Sequence, residues 1–245
     1  GLESIDYLIT DAFHSPDGSE QHYSETLLRF PGDYIPWEPP SYAPEPGPLP
    51  LLANGFPTFG CLNNPSKLTT PTLRLWATLL RELPEARLIL KYKGMDDRAV
   101  KERVLGLFAV FGVDPGRVEM LGHTQHGDHL AMFQRIDIAL DPMPYSGGLS
   151  TCEAVWMGVP VVTRPGDTFA SRHSLSHLNN AGIADTVVDS SEAYVAKAVE
   201  LAADPDALAA RRSSMRATIA ASPLCDLHGF AADFVAAIQV VTEAG

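Results

Sequence analysis

A chain of 245 residues, 45% hydrophobic and 20% charged, is long enough for one large globular domain or for one domain and part of a second. Its net charge of −12 and pI near 5.0 argue against a broad nucleic-acid surface and leave room only for a local basic pocket that holds a nucleotide. Three widely spaced cysteines, Cys61, Cys152 and Cys225, suit a reduced cytoplasmic chain better than a disulfide scaffold; no CxxC pair suggests zinc, and neither a signal peptide nor a membrane-spanning apolar run is visible.

In chain order, "IDYLITD" (5–11) reads as a short strand and "YSETLLRF" (23–30) as a short helix or strand. The chain opens on Gly1 immediately before them, as expected of a fragment or a processed product, and residues 1–35 are too few to form a core alone. Eight prolines between Pro31 and Pro50 then predict an extended segment following a surface, because proline fixes φ and removes a donor. This segment is expected to be a linker over residues 36–53, between an N-terminal piece (1–35) and the main domain (54–245).

From residue 57 strands and helices alternate. "PTFGCL" (57–62) is a strand, and Thr70-Pro71 predicts a capped helix start. Leu73, Trp76, Ala77 and Leu80 mark one face of that helix, which ends near Pro84. "RLILKY" (87–92), "RVEML" (117–121), "DIALD" (137–141) and "VPVVT" (159–163) are the following strands, and "DTVVD" (185–189) is a candidate sixth. Helices are expected over 100–111, about a shorter stretch at 126–134, from Leu149 to Met157, and at 191–203, 205–221 and 228–242. Such alternation predicts an α/β fold with a doubly wound parallel sheet, whose ligands sit beyond the carboxyl ends of the strands.

That rule selects the loops worth reading. After strand 137–141, "PMPYSGGLST" opens a helix. Free N–H groups there, glycines 147 and 148 that let a ligand approach, and the hydroxyls of Ser150 and Thr151 suit a phosphate or diphosphate. On spacing alone a plain capped turn is the better match, and neither GxGxxG nor GxxxxGK[ST] is present. Glu153, inside the helix, either accepts from sugar hydroxyls or compensates the helix dipole. "LNNPSK" (62–67) offers amides and Lys67, which can neutralise a leaving diphosphate or simply be a solvated lysine. "HTQHGDH" (123–129) brings His123, His126 and His129; Gly127 weakens the helix that zinc ligation would use, and one ring packing on a nucleobase is an equal reading. Arg172 follows the fifth strand and either faces the same edge or caps a helix.

"FGCLNNPSK", "DIALDPMPYSGGLSTCEAVWMGVPVVT", "ASRHSLSHL" and "SPLCD", in this order, resemble the carboxyl-terminal part of the O-GlcNAc transferase/SPINDLY family of nucleotide-sugar-dependent protein glycosyltransferases. The resemblance implies a Rossmann-like second domain of a GT-B enzyme, with a short remnant of the first domain at the N-terminus. It implies that Lys67 stabilises the departing diphosphate, with Asn64 beside it and His129 near the nucleoside. It places Gly148, Leu149 and Ser150 at the phosphates and Glu153 at the ribose or sugar. It implies no cofactor and no metal. The implied donor is a UDP-sugar, first UDP-GlcNAc, with GDP-fucose and UDP-glucose as alternatives; the implied acceptor is a protein or peptide Ser/Thr hydroxyl. Leu149 stands where the family tends to carry threonine, and Pro65 stiffens the lysine loop. A missing first catalytic domain, tetratricopeptide repeats upstream, and an isolated chain that binds nucleotide without transferring sugar complete the expectations.

Overall fold

The computed structural model describes residue 2 and residues 4–244. Two strands, β1 (Tyr7–Asp11) and β2 (Thr26–Phe30), pair in parallel, so the stretch at 23–30 is a strand. The proline-rich segment that follows is extended and fastened to the rest of the chain. The Trp37 amide donates to the Leu224 carbonyl at 3.0 Å, and the buried Arg212 guanidinium donates to the carbonyls of Pro46, Gly47, Phe133 and Ile136. Its end is helical: α1 (Pro50–Asn54) starts on a proline, and Asp137 accepts from the amides of Leu51 and Thr58 at 2.7 Å each.

The main sheet then builds in chain order: β3 (Thr58–Cys61), α2 (Thr70–Glu82), β4 (Arg87–Lys91), α3 (Arg98–Val110), β5 (Val118–Leu121), α4 (His126–Ala131), β6 (Ile138–Leu140), α5 (Leu149–Trp156) and β7 (Val161–Val162). Helices α6 (His173–Asn180), α7 (Ser191–Ala203), α8 (Pro205–Ala220) and α9 (Leu227–Ala244) follow. The five strands β3 to β7 are all parallel, in the order β5-β4-β3-β6-β7. This is the doubly wound arrangement. The direction of winding reverses between β3 and β6, which opens a crevice at their carboxyl ends.

Period-two side-chain alternation splits the core into two layers. Phe59, Cys61, Leu88, Leu90, Ile138, Leu140 and Val162 pack with α2, α3 and α7 on one face. Ile89, Ala139 and Val161 pack with α5, Leu130, Leu178, Met215 and Ile219 on the other. Gly60 has no side chain because a Cβ there would lie 2.3 Å from Ile136 Cδ1. Among the described residues no helix is long and apolar enough to cross a membrane.

Two local expectations need correction. The N-cap of α2 is Thr69, whose Oγ1 accepts from the Thr72 amide at 3.3 Å; Thr70 is one residue too late to reach it. The stretch 185–189 makes only an isolated bridge, Thr163 with Val187, after a 3-10 turn over Ala184–Thr186. Its neighbour β7 is two residues long, so no ladder can extend. The short helix expected at 126–134 is present: α4 runs through Gly127 and tightens into a 3-10 turn at Met132–Arg135.

Candidate functional site

A cavity of about 640 Å³ opens at the crevice between β3 and β6. Lys67, Asn64, His129, Gly148, Leu149, Ser150 and Glu153 all line it. The fold therefore gathers the lysine loop, the glycine turn and the histidine loop around one cavity.

The lysine loop is held by its own capping. Asn64 Oδ1 accepts from the Ser66 amide at 2.9 Å and starts a 3-10 turn over Pro65–Lys67. Lys67 Nζ then donates to Ser146 O at 2.8 Å and to Asn63 Oδ1 at 3.3 Å, and lies 4.0 Å from the Tyr145 ring centroid. The amide that orients the lysine is thus Asn63. Burial lowers the Lys67 pKa from its ordinary value, and the Asp141 carboxylate works against that. A half-buried ammonium held by neutral oxygens, a ring face and a distant carboxylate retains attraction for an incoming anion.

The glycine turn is built around Asp141. Its Oδ1 accepts the Gly147 amide at 2.6 Å and its Oδ2 accepts the Thr163 hydroxyl at 2.6 Å. Burial lifts this carboxyl to about 6, while the Thr163 and Gly147 hydrogen bonds and the Lys67 charge pull the other way. A Cβ on Gly147 would meet Thr151 Oγ1 at 2.5 Å and Ser150 Oγ at 2.9 Å, so the turn closes only around glycine. Gly148 faces open space. Among the described residues, the amides of Gly148, Leu149 and Ser150 have no protein acceptor. They are the unpaired donors of the start of α5, on residues that line the same cavity as Lys67.

The hydroxyls divide. Ser150 Oγ donates to Asn63 Oδ1 at 2.8 Å on the cavity wall. Thr151 is turned inward, buried, with its Oγ1 2.7 Å from Ser174 Oγ, so it ties α5 to α6 and does not line the cavity. Leu149 is exposed at 61%. Arg172 also lies off the cavity: it donates to the carbonyls of Phe13 at 2.9 Å and Gly166 at 3.0 Å.

The far end of the cavity is a chain of polar groups. Lys91 Nζ, on a buried side chain at the end of β4, is 3.0 Å from His129 Nδ1. His129 Nε2 is 3.6 Å from Glu153 Oε2, and His126 Nε2 is 2.8 Å from Glu153 Oε1. Tyr42 Oη closes the chain 2.8 Å from His126 Nδ1. Burial pushes the Glu153 carboxyl up; His129 and His126 together outweigh it and leave it below its ordinary value. Glu153 is thus an anionic acceptor with lone pairs left for hydroxyl groups. Sequence reasoning missed Lys91, Tyr145 and Asp141, and read Asn63 only as one of two amides in the lysine loop. Asn63 was legible in principle from its place in "LNNPSK"; Lys91 reads as one more residue of a buried strand.

A second opening, of about 870 Å³, lies at the amino ends of β3 and β4. Two of its arginines are occupied: Arg117 donates to the carbonyls of Leu80, Leu83 and Ala86, and Arg135 pairs with Glu119, while Arg87 lies over the Phe56 ring.

Comparison with known proteins agrees with this fold. The family model of glycosyl transferase family 41 matches residues 52–234. A Solanum lycopersicum protein named "Probable UDP-N-acetylglucosamine--peptide N-acetylglucosaminyltransferase SPINDLY" is 39% identical over 92% of this chain and 24% of its own length. The Arabidopsis thaliana relative of the same description ending in "SEC" is 28% identical over 92% of this chain and 24% of that protein. Among solved structures, a Thermobaculum terrenum O-GlcNAc transferase mutant superposes with a TM-score of 0.89 at 37% identity, covering 97% of this chain and 45% of that one. A sucrose-phosphate synthase from Thermosynechococcus elongatus shares the fold alone, with a TM-score of 0.66 at 15% identity over 100% of this chain and 60% of that one. The chain spans about a quarter of the length of the curated relatives it matches.

Proposed function

The chain belongs to glycosyl transferase family 41, and we propose that it is the donor-binding half of a GT-B enzyme that moves a sugar from a nucleoside diphosphate to Ser or Thr hydroxyls of proteins. The observation that carries this reading is the meeting of Lys67 with the free amides of Gly148, Leu149 and Ser150 across the β3/β6 crevice. The names of the relatives make UDP-GlcNAc the first choice of donor.

In this mechanism the acceptor hydroxyl oxygen attacks the anomeric carbon from the face opposite the diphosphate, the bond to the diphosphate oxygen breaks, and the hydroxyl proton passes to the departing diphosphate or to water. Negative charge then builds on that oxygen. Lys67 and the start of α5 are already aimed at it and need little reorganisation as the charge develops. They supply the positive potential without calling for a metal ion. Glu153 accepts from hydroxyls of the ribose or sugar, with His129 beside the nucleoside. Leu149 contributes its amide but no hydroxyl, so the turn binds phosphate through the backbone.

By itself the chain is proposed to bind donor and transfer nothing, the remaining catalytic groups and the protein-recruiting surfaces belonging to the rest of a longer protein. Calorimetric titration of the purified chain with UDP, GDP and their sugars tests the reading. Saturable binding of UDP and UDP-GlcNAc, unaffected by EDTA, is expected. Saturation by GDP alone replaces the base assignment, and no saturable binding of any of them overturns the donor site.

A further inference from the structure

Next to Lys67 the cavity wall carries an imidazole that the mechanism above does not use. His173 is the first residue of α6, and its amide donates to Ser146 Oγ at 3.0 Å. Ser146 is also the residue whose carbonyl holds Lys67 Nζ at 2.8 Å. Tyr145 lies between the two side chains, its ring 4.0 Å from Lys67 Nζ and 5.7 Å, centroid to centroid, from the His173 ring. One residue pair therefore fixes both groups on the same wall.

The orientation of the His173 proton follows from what stands behind it. Tyr34 Oη is 2.7 Å and His14 Nε2 is 3.0 Å from His173 Nδ1. His14 is buried, and its Nδ1 has no partner among the described residues. A buried N–H left unpaired is costlier and rarer than an unpaired lone pair, so the His14 proton sits on Nε2 and points at His173. Burial raises the Tyr34 pKa, which keeps its hydroxyl protonated as a donor. The single lone pair of His173 Nδ1 then accepts from the nearer Tyr34 hydroxyl and shares that contact with the His14 N–H, and a neutral ring carries its own proton on Nε2. Burial, His177 and Lys67 hold His173 neutral, with a pKa of about 4. Nε2 has no protein partner among the described residues, is absent from the buried unpaired atoms, and belongs to a side chain that lines the cavity.

We infer that His173 is a second diphosphate-binding side chain, whose Nε2–H donates to the distal phosphate beside Lys67, and that His14 and Tyr34 are positioning residues that fix its tautomer. The inference rests on the nucleotide-binding reading given above. A neutral donor at this place adds a directed hydrogen bond to the anion and leaves the charge balance of the site to Lys67.

The test compares UDP with UMP, which lacks the distal phosphate, on the whole chain by calorimetry. His173→Phe keeps a ring to pack against Phe169 and Tyr145 and removes the donor; His173→Gln replaces the donor with an amide N–H. The Phe variant is expected to bind UDP about tenfold or more weakly with UMP affinity nearly unchanged, since a hydrogen bond to a charged partner is lost. The Gln variant is expected to recover much of the loss. A nitrogen-15 imidazole spectrum of the wild type is expected to show the Nε2–H tautomer at His173, and His14→Phe is expected to weaken that preference. Equal losses for UDP and UMP, or an Nδ1–H tautomer, overturn the assignment of His173 alone. A wild-type chain that binds no nucleotide overturns both this assignment and the function it rests on.

Discussion

Lys67 and Gly147 carry the largest consequences per atom. Removing the ammonium takes away the cation beside the first amides of α5, while the lysine side chain is held by a ring face and two oxygens. Lys67→Ala in the intact protein is therefore expected to cut turnover about 10²–10³-fold, the cost typical of losing one preorganised electrostatic donor. Its melting temperature is expected to stay near the wild-type value; a turnover within twofold of wild type contradicts the role. Gly147→Ala forces a Cβ against Thr151 Oγ1, which cannot swing away because it is bonded to Ser174. It is expected to cost about 1–3 kcal/mol in a urea titration, as overpacking does, and to weaken UDP binding. Lys67 and the glycine turn were legible in the sequence because each follows a recognisable strand. The inward turn of Thr151 was not legible, since its partner Ser174 is 23 residues away. The same holds for His173, whose partners Tyr34 and His14 lie 139 and 159 positions earlier.

Elements decide where these residues meet. The alternation of strands and helices foretold a doubly wound sheet, and the reversal between β3 and β6 puts the two loops face to face. Edges were harder to read. β7 and the stretch after it look equally strand-like in sequence, but Pro160 withholds a donor and only two residues pair. The N-terminal strands illustrate another kind of dependence. β1 and β2 are anchored on α6 through buried polar contacts: Asp11 with Ser176, and Asp33 Oδ2 with His177 Nδ1 at 2.7 Å. His177 Nε2 has no partner among the described residues, so Asp33 is what satisfies that ring. Asp33→Ala is expected to destabilise the chain by about 3 kcal/mol, as breaking a buried hydrogen-bonded pair does. Asp33→Asn is expected to cost less, because the amide oxygen can still face the ring. Equal costs in chemical denaturation would count against the contact as an anchor.

At the level of the whole molecule, buried titratable groups tie stability to pH. Burial holds His14 at about 3 and His173 at about 4, both below the ordinary 6.5. The folded chain thus binds fewer protons at these rings than the unfolded chain. Their contribution is fully present above pH 6.5 and is lost as pH falls toward about 4 and then about 3. Asp141 acts in the opposite sense: its carboxyl is raised to about 6, so its contribution is full below 3.8 and is lost as pH rises through about 6. Melting temperatures followed from pH 7 down to 4 are expected to fall less steeply in His14→Phe than in the wild type, whatever the variant's absolute stability; parallel curves contradict the buried neutral ring. His173 lines the crevice, His14 stands behind it and Asp141 holds its glycine turn, so what that crevice binds decides the function. A crystal structure of the chain grown with UDP tests this most directly. The diphosphate is expected within hydrogen-bonding distance of Lys67 Nζ and of the amides at residues 148–150. Ordered diphosphate elsewhere, as at Arg87 in the opening at the amino ends of the strands, would contradict it.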